Sequence, residues 1–301
     1  MEILTAVKKS VSNAASVPQL LIRKAKVAFD FQQARARFLT ASGPVTVETA
    51  AHQLRKVPPL TSEEKQLIRG VSLSVDPFDT MYAPGKAGHY LLVGISAIRC
   101  IEAVLETANI RADEIRKILD FPVGYGRVLR FLRAKFPQAR ISGAEIDSSA
   151  MRFCTREFSI EPIRALEDFS LVSATGRFDL IWCGSLVTHI SENSTTALLR
   201  FFRDHLTENG VCLVSMHGHT SAEWLRQKKH SYGLTLPEQQ ELLQKYEQSG
   251  YGYVDYSNVL GYGISIASAE RMKKIISQLG TCVFYQAAVW DHHHDVYGFK
   301  K

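Results

Sequence analysis

An acid at the end of a short apolar run, followed by two glycines two apart, is the grouping in this chain best suited to holding a small charged ligand. It stands at Ile118-Leu-Asp-Phe-Pro-Val-Gly-Tyr-Gly-Arg127. Gly124 and Gly126 permit a tight turn and a close approach of backbone to ligand. The third glycine of a dinucleotide fingerprint is missing, because Leu129 takes its place, and Asp120 precedes the turn. That carboxylate would repel a pyrophosphate and attract a cation. The next apolar run ends in Gly143-Ala-Glu-Ile-Asp147. An acid at such a tip accepts hydrogen bonds from both hydroxyls of a ribose. Glu145 occupies the tip, with Asp147 the second choice. Asp147 also reads as the N-cap of the following helix, a role for which Glu145 lies too far from Ser149.

Proton-transfer candidates follow two later apolar runs, His189 after Phe178–Cys183 and His217 after Val211–Met216. Both fall where parallel sheets bind ligands, and each serves as a base or as a packed, hydrogen-bonded ring. The segment Asp76–Gly85 is a loop that merely caps the sheet or, as the family resemblance given below implies, a lid carrying Tyr82 towards a substrate. Residues 218–262 hold Tyr232, Tyr246, Tyr251, Tyr253, Tyr256 and Tyr262, over half of the chain's 11 tyrosines. They suit a wall stacking on sugars or aromatic rings, or a small auxiliary core. Asp291-His-His-His-Asp295 invites a metal reading, but neighbours on a strand face opposite ways. A hairpin turn without a metal is expected there.

The elements that must position these groups are legible from Asp113 onward, where short apolar runs alternate with amphipathic stretches as in a parallel α/β sheet. Strands are expected at Lys117–Phe121, Arg140–Ala144, Pro162–Leu166, Phe178–Cys183 and Val211–Met216, the last after a turn at Asn209-Gly210. Helices are expected at Gly126–Lys135, Ser149–Phe158 and Thr195–Leu206. Two helical patterns, Ala222–Lys229 and Pro237–Gln248, fill the stretch after the fifth strand. A helix at Ala269–Leu279 and a strand pair at Cys282–Val289 and Asp295–Phe299 close the chain. Three parts follow: a helical extension over 1–75, a lid segment and long helix (Tyr90–Thr107) over 76–112, and the sheet domain over 113–301, with 218–262 as an insertion.

Residues 1–40 are basic, with apolar residues at helical spacing from Ile3 to Val11. A short amphipathic helix is expected, suited to weak contact with a membrane surface or to packing on the body. Thr61 and Glu64 form a capping box. The net charge of +6 fits an anionic partner without selecting one. Five scattered cysteines without a CxxC pair indicate reduced thiols and a cytoplasmic protein. The apolar stretch Tyr90–Leu105 is interrupted by Arg99 and Glu102 and is shorter than a membrane span of about 20 residues.

In order, DFPVGYGRVLRFL (120–132), GAEID (143–147), FDLIWCGSLVTHI (178–190) and ENGVCLVSMHG (208–218) resemble the motif series of class I S-adenosyl-L-methionine (SAM) methyltransferases. More narrowly, the chain resembles bacterial methyltransferase-domain proteins associated with glycan genes. The resemblance implies a Rossmann-like α/β sheet, mostly parallel with an antiparallel last strand. It implies that Asp120, Gly124 and Gly126 line the methionine half of SAM, with Pro122 and Arg127 in the same loop. Glu145 with Ile146 would hold the ribose, Glu167 or Asp168 would approach the adenine amine, and Cys183 and Ser185 would lie beside the cofactor. Pro122-Val123 replaces the family's usual first glycine and its neighbour, which implies an extended, stiff start to the loop. The implied reaction is methylation of a small-molecule or glycan acceptor, at oxygen. An RNA or protein methyltransferase and a non-catalytic SAM-binding module are the alternatives. Nucleic acid is disfavoured, because Cys-Gly-Ser-Leu replaces an Asn-Pro-Pro-Tyr-like amide-nitrogen site.

Overall fold

A computed structural model describes residues 60–301 except Pro84, Thr175 and Asn258. The amphipathic helix expected within residues 1–40 lies outside the described residues. The capping box closes as expected: Glu64 N–H donates to Thr61 Oγ1 (3.1 Å) and Thr61 N–H to Glu64 Oε2 (2.8 Å). It opens α1 (Ser62–Gly70). The long helix α2 runs from Ala87 to Thr107. It is the one described helix apolar and long enough to cross a membrane, yet 67% of its apolar window is buried inside the fold. Trp290 Nε1–H donates to the Val93 carbonyl at 3.0 Å, fixing the helix on the sheet.

The sheet begins with β1 (Lys117–Asp120), α3 (Leu129–Lys135), β2 (Arg140–Glu145), α4 (Ser148–Phe158) and β3 (Glu161–Arg164). It continues through β4 (Phe178–Cys183), α5 (Glu192–Asp204) and β5 (Leu206–His217). Helices α6 (His219–Arg226) and α7 (Leu236–Ser249) follow, then a hairpin of β6 (Tyr251–Tyr256) and β7 (Val259–Ala267). Helix α8 (Ala269–Ser277) leads to β8 (Thr281–Trp290) and β9 (His294–Lys300). Seven strands form one sheet in the order β3-β2-β1-β4-β5-β9-β8. Strands β1 to β5 pair in parallel, and β9 runs antiparallel to both β5 and β8. This is the mostly parallel Rossmann-like sheet with an antiparallel last strand. The strand order reverses beside β1, so the connections leaving the paired strands β1 and β4 run to opposite sides at their carboxyl ends, where sheets of this kind hold their ligand crevice.

The central strands read as unbroken apolar runs because helices cover both faces. Ile118, Leu119, Leu180, Ile181 and Leu213 are wholly buried. The insertion builds a separate small core from Ala222, Leu225, Tyr232, Leu234, Leu242, Val254, Ile264 and Ile266.

Three features depart from the sequence reading. The turn at Asn209-Gly210 is absorbed into β5: Phe178 pairs with Leu206 and Leu180 already with Val211, so the intervening residues bulge out of register. The helix after the glycine loop starts at Leu129, because Gly126 takes a left-handed φ of 80° that no helix accepts. The β6–β7 hairpin was not expected, since Gly252, Gly261 and Gly263 interrupt its strand pattern.

Candidate functional site

The carboxyl end of β1 delivers Asp120 to the bottom of the crevice, flanked by Gly143 of β2 and Trp182 of β4. Asp120 is 2% exposed, and its Oδ2 has no hydrogen-bond partner among the described residues. Burial first, and then repulsion from Glu145, hold its carboxyl well above the usual carboxylate range. A buried acid in this condition is stabilised by an incoming cation.

The loop then bends at Phe121 and Pro122, so its start is not the extended run expected from Pro122-Val123. Val123 N–H donates to the Ala144 carbonyl (2.9 Å), tying the loop to β2. Gly124 has φ 51°, and a Cβ built there would meet nothing within 4 Å. Gly126 (φ 80°) has the opposite surroundings: a Cβ would sit 2.5 Å from the Phe158 ring. The first glycine therefore borders open space, and the second serves close packing of α4. Arg127 is half-buried at the head of α3.

Glu145, at the tip of β2, clamps this loop. Its Oε2 accepts from Gly124 N–H (2.9 Å), and its Oε1 from the N–H groups of Ile146 (2.7 Å) and Asp147 (2.9 Å). Burial raises its pKa, against the lowering effect of these bonds. Asp147 is the N-cap of α4, accepting from Ser149 N–H at 2.7 Å, and it also receives the Tyr125 hydroxyl (3.2 Å). Ile146 is 61% exposed beside these acids, an apolar face open to a flat ring. Glu167 and Asp168 lie exposed beyond β3, and Asp168 is engaged with the backbone N–H and hydroxyl of Ser170 (3.0 and 2.6 Å).

At the end of β4, Cys183 is wholly buried, and Asp120 adds to the burial that raises its thiol pKa. Ser185 takes a left-handed φ of 59° and donates its N–H to Ser215 Oγ (2.8 Å), joining the ends of β4 and β5. His189 ends the short turn Val187–His189. Its Nδ1 meets the Gly263 carbonyl at 2.8 Å, and its ring stacks on Tyr262 at 4.9 Å, with Tyr256 at 6.2 Å. A carbonyl only accepts, so Nδ1 carries the proton and Nε2 is the basic atom. Burial lowers the His189 pKa. His217 lies 6.5 Å away, ring to ring, and is buried with Nδ1 on the Ser265 carbonyl (3.1 Å).

Tyr82 is 9% exposed and packs edge-on against Tyr90 (5.6 Å). The strap that carries it, residues 71–85, lies beside the glycine loop: after burial, the charges of Asp147 and Asp76 are what push the Tyr125 hydroxyl above its ordinary range. The sequence reading missed the residue that fastens this strap. Arg130 is 1% exposed and donates to the carbonyls of Ser72 (2.6 Å), Ser74 (3.1 Å) and Gly126 (3.1 Å) and to the Tyr90 hydroxyl (3.3 Å). On a basic amphipathic helix it reads as one more solvated arginine, and nothing local marks it. His293 and His294 belong to the run that the sequence reading weighed as metal ligands and set aside in favour of a hairpin turn. The Asp291–Asp295 segment forms the expected hairpin turn, but His293 sits in the turn and not on the strand. The alternation of faces therefore does not separate it from His294.

The family model described as "Methyltransferase domain" matches residues 119–212, the stretch from β1 into β5 that carries this site. Residues 119–212 carry a methyltransferase domain, and the sheet that bears them has the fold of class I SAM-dependent methyltransferases. Among solved structures, Streptomyces venezuelae DesVI is similar over 72% of this chain and 95% of its own, at 13% identity and a TM-score of 0.50. A SAM-dependent methyltransferase from Clostridium acetobutylicum is similar over 68% and 89%, at 14% identity and a TM-score of 0.47. Magnesium protoporphyrin IX methyltransferase (ChlM) from Synechocystis PCC 6803 is similar over 86% and 96%, at 10% identity and a TM-score of 0.44. No curated protein matches the chain by sequence.

The methyltransferase cofactor fits what the crevice offers. The unpartnered Asp120 Oδ2 suits its cationic amino-acid end, and the open side of Gly124 gives it room. Glu145 keeps about one acceptor site beyond its three N–H partners for a ribose hydroxyl. A surface cavity lined by Lys117, Arg140, Ser142, Glu161, Gly176 and Phe178 lies at the opposite, amino-terminal edge of the strands, away from these groups.

Proposed function

We propose that this methyltransferase transfers the SAM methyl group to a hydroxyl oxygen of a small-molecule or glycan acceptor. The reading is supported chiefly by His189, a neutral imidazole at the β4 edge whose Nδ1–H is anchored on Gly263 and whose Nε2 is left basic. Bound SAM supplies a methyl carbon whose bond to a positively charged sulfur breaks as the acceptor oxygen bonds to it, the electron pair leaving with sulfur. In this reading Asp120, Gly124 and Gly126 hold the methionine end, with Pro122 and Arg127 beside it. Glu145 and Ile146 hold the ribose side, Glu167 or Asp168 approaches the adenine, and Cys183 and Ser185 floor the site. His189 Nε2 takes the hydroxyl proton. Tyr256 and Tyr262, brought by the insertion against His189, form an apolar wall with polar tips, suited to a sugar face. Tyr82 keeps the strap closed over the loop and excludes water.

The test is calorimetric titration with SAM, followed by incubation of the full chain with methyl-labelled SAM and parallel panels of hydroxyl, amine and nucleic-acid acceptors. Label on a hydroxylated acceptor, lost in His189→Gln, is the expected outcome. Label only on nitrogen, or on RNA, would overturn the assignment.

A further inference from the structure

Three imidazoles from two distant parts of the chain meet beside the site just described, and the reaction proposed above does not use them. His217 ends β5, and His293 and His294 form the turn into β9. One ring nitrogen from each lies within 4.8 Å of the other two. Ring centroids are 5.7 Å apart for His217 and His293, 4.8 Å for His217 and His294, and 4.2 Å for His293 and His294.

Every Nδ1 in the group is already engaged. His217 Nδ1 meets the Ser265 carbonyl (3.1 Å), His293 Nδ1 the Asp291 carbonyl (2.7 Å) and His294 Nδ1 the Ser215 hydroxyl (3.2 Å). Carbonyls only accept, so His217 and His293 carry their proton on Nδ1 and present a bare Nε2, and Nε2 is the nitrogen left over on His294. Anchoring of the outer ring nitrogen by a fixed acceptor is how metal-ligating histidines are oriented. His230, nearby, has the opposite arrangement: its Nδ1 accepts from Tyr232 N–H (3.0 Å), so its Nε2 is protonated and cannot ligate.

We propose that His217, His293 and His294 form a three-nitrogen site for a divalent transition-metal ion of the zinc class, bound through their Nε2 atoms. Imidazole donors without a carboxylate or thiolate favour zinc, copper or nickel over magnesium or calcium. A tetrahedral ion at about 2.0–2.1 Å from each nitrogen needs them about 3.4 Å apart. The partly exposed turn residue His293 can close that gap, while His217 and His294 are held by strand pairing at 3% and 5% exposure.

Three protein ligands leave a coordination position open, as in catalytic and not structural zinc sites. Ser215 links the group to the cofactor edge, because its hydroxyl meets His294 and also receives Ser185 N–H. If the proposed hydroxyl acceptor occupies the open position, the ion lowers the pKa of the oxygen whose proton passes to His189. That last point rests on the proposed function; metal binding itself does not.

The experiment uses the full chain, freed of any affinity tag and stripped with chelator, then titrated with Co2+ and Zn2+ in the absence of SAM. One equivalent of cobalt with the intense visible absorption of a four- or five-coordinate ion is expected, displaced by zinc. His293→Ala, in the exposed turn, and His294→Gln should each weaken binding by about 100-fold or more. A SAM-induced thermal shift, measured in parallel, reports that each variant is folded. No stoichiometric cobalt spectrum in the parent chain, or unchanged affinity in both folded variants, overturns the site. Metal binding without SAM binding would instead remove the proposed function and leave the metal site standing.

Discussion

Arg130 Nε donates to the Gly126 carbonyl at 3.1 Å, and this bond joins the cofactor loop to a charge buried beneath it. The same guanidinium holds the strap through Ser72 and Ser74 and lies 5.2 Å from the Tyr90 ring centre. Tyr90 in turn donates to Asp79 (2.5 Å), a buried acid whose pKa is raised by desolvation. Arg130→Met removes the buried charge and takes the donor from the Ser72 and Ser74 carbonyls, while the Gly126 carbonyl keeps the backbone N–H of residue 130, at a cost of about 3–5 kcal/mol. At about 2–4 °C per kcal/mol for a domain of this size, calorimetry should show Tm falling by roughly 10 °C. An unchanged Tm would show that the strap does not depend on this residue.

Asp120 couples stability and cofactor binding to pH in opposite directions. Its folded pKa is raised, so its contribution to stability is present below the unfolded value of about 3.9 and is lost as pH rises through the folded value. Asp120→Asn, neutral throughout, should therefore raise the Tm of the SAM-free protein at about pH 8 by about 2–4 °C for each kcal/mol relieved, and leave it unchanged at about pH 3. SAM binding needs the carboxylate, so affinity should weaken as pH falls through that raised pKa. In Asp120→Asn the residual affinity should be weak and independent of pH. Wild-type SAM affinity in this variant, read by calorimetry, would remove Asp120 from the site.

The two loop glycines should separate folding from binding. Both require a left-handed backbone, which costs another residue about 1–2 kcal/mol. Gly126→Ala adds a clash with Phe158 and should lower Tm further. Gly124→Leu faces open space, so the variant should fold and lose SAM binding. Thermal melting paired with SAM titration distinguishes the two. Equal SAM affinity in Gly124→Leu and the parent would place the cofactor elsewhere.

His189→Gln should lower kcat by about 10²- to 10⁴-fold while the Kd for SAM stays constant. A base acts in its neutral form, and burial lowers the His189 pKa. The acid limb of the rate profile should therefore lie below the ordinary histidine value of about 6.5. Loss of SAM binding in place of turnover would make His189 a packing residue.

The sequence alone determined the features that depend on neighbours along the chain. Asp120, Gly124 and Gly126 fall within one strand-to-helix turn, the Thr61–Glu64 capping box within one helical turn, and the central strands β1 and β4 each within their own apolar run. Apolar periodicity and backbone stereochemistry are local, and composition records them. Only the tertiary structure decided what crosses the fold. Arg130 reaches Ser72 across 58 positions, and His217 reaches Ser265 across 48. Such partners leave no local spacing to read, because burial, and not sequence distance, makes an arginine a clasp or assembles three histidines. The same holds for β6 and β7, whose glycine-broken pattern becomes a hairpin only through pairing and packing in the insertion. Chain-local physics thus set the sheet and the cofactor turn, and desolvation among remote segments set which charges and imidazoles surround them.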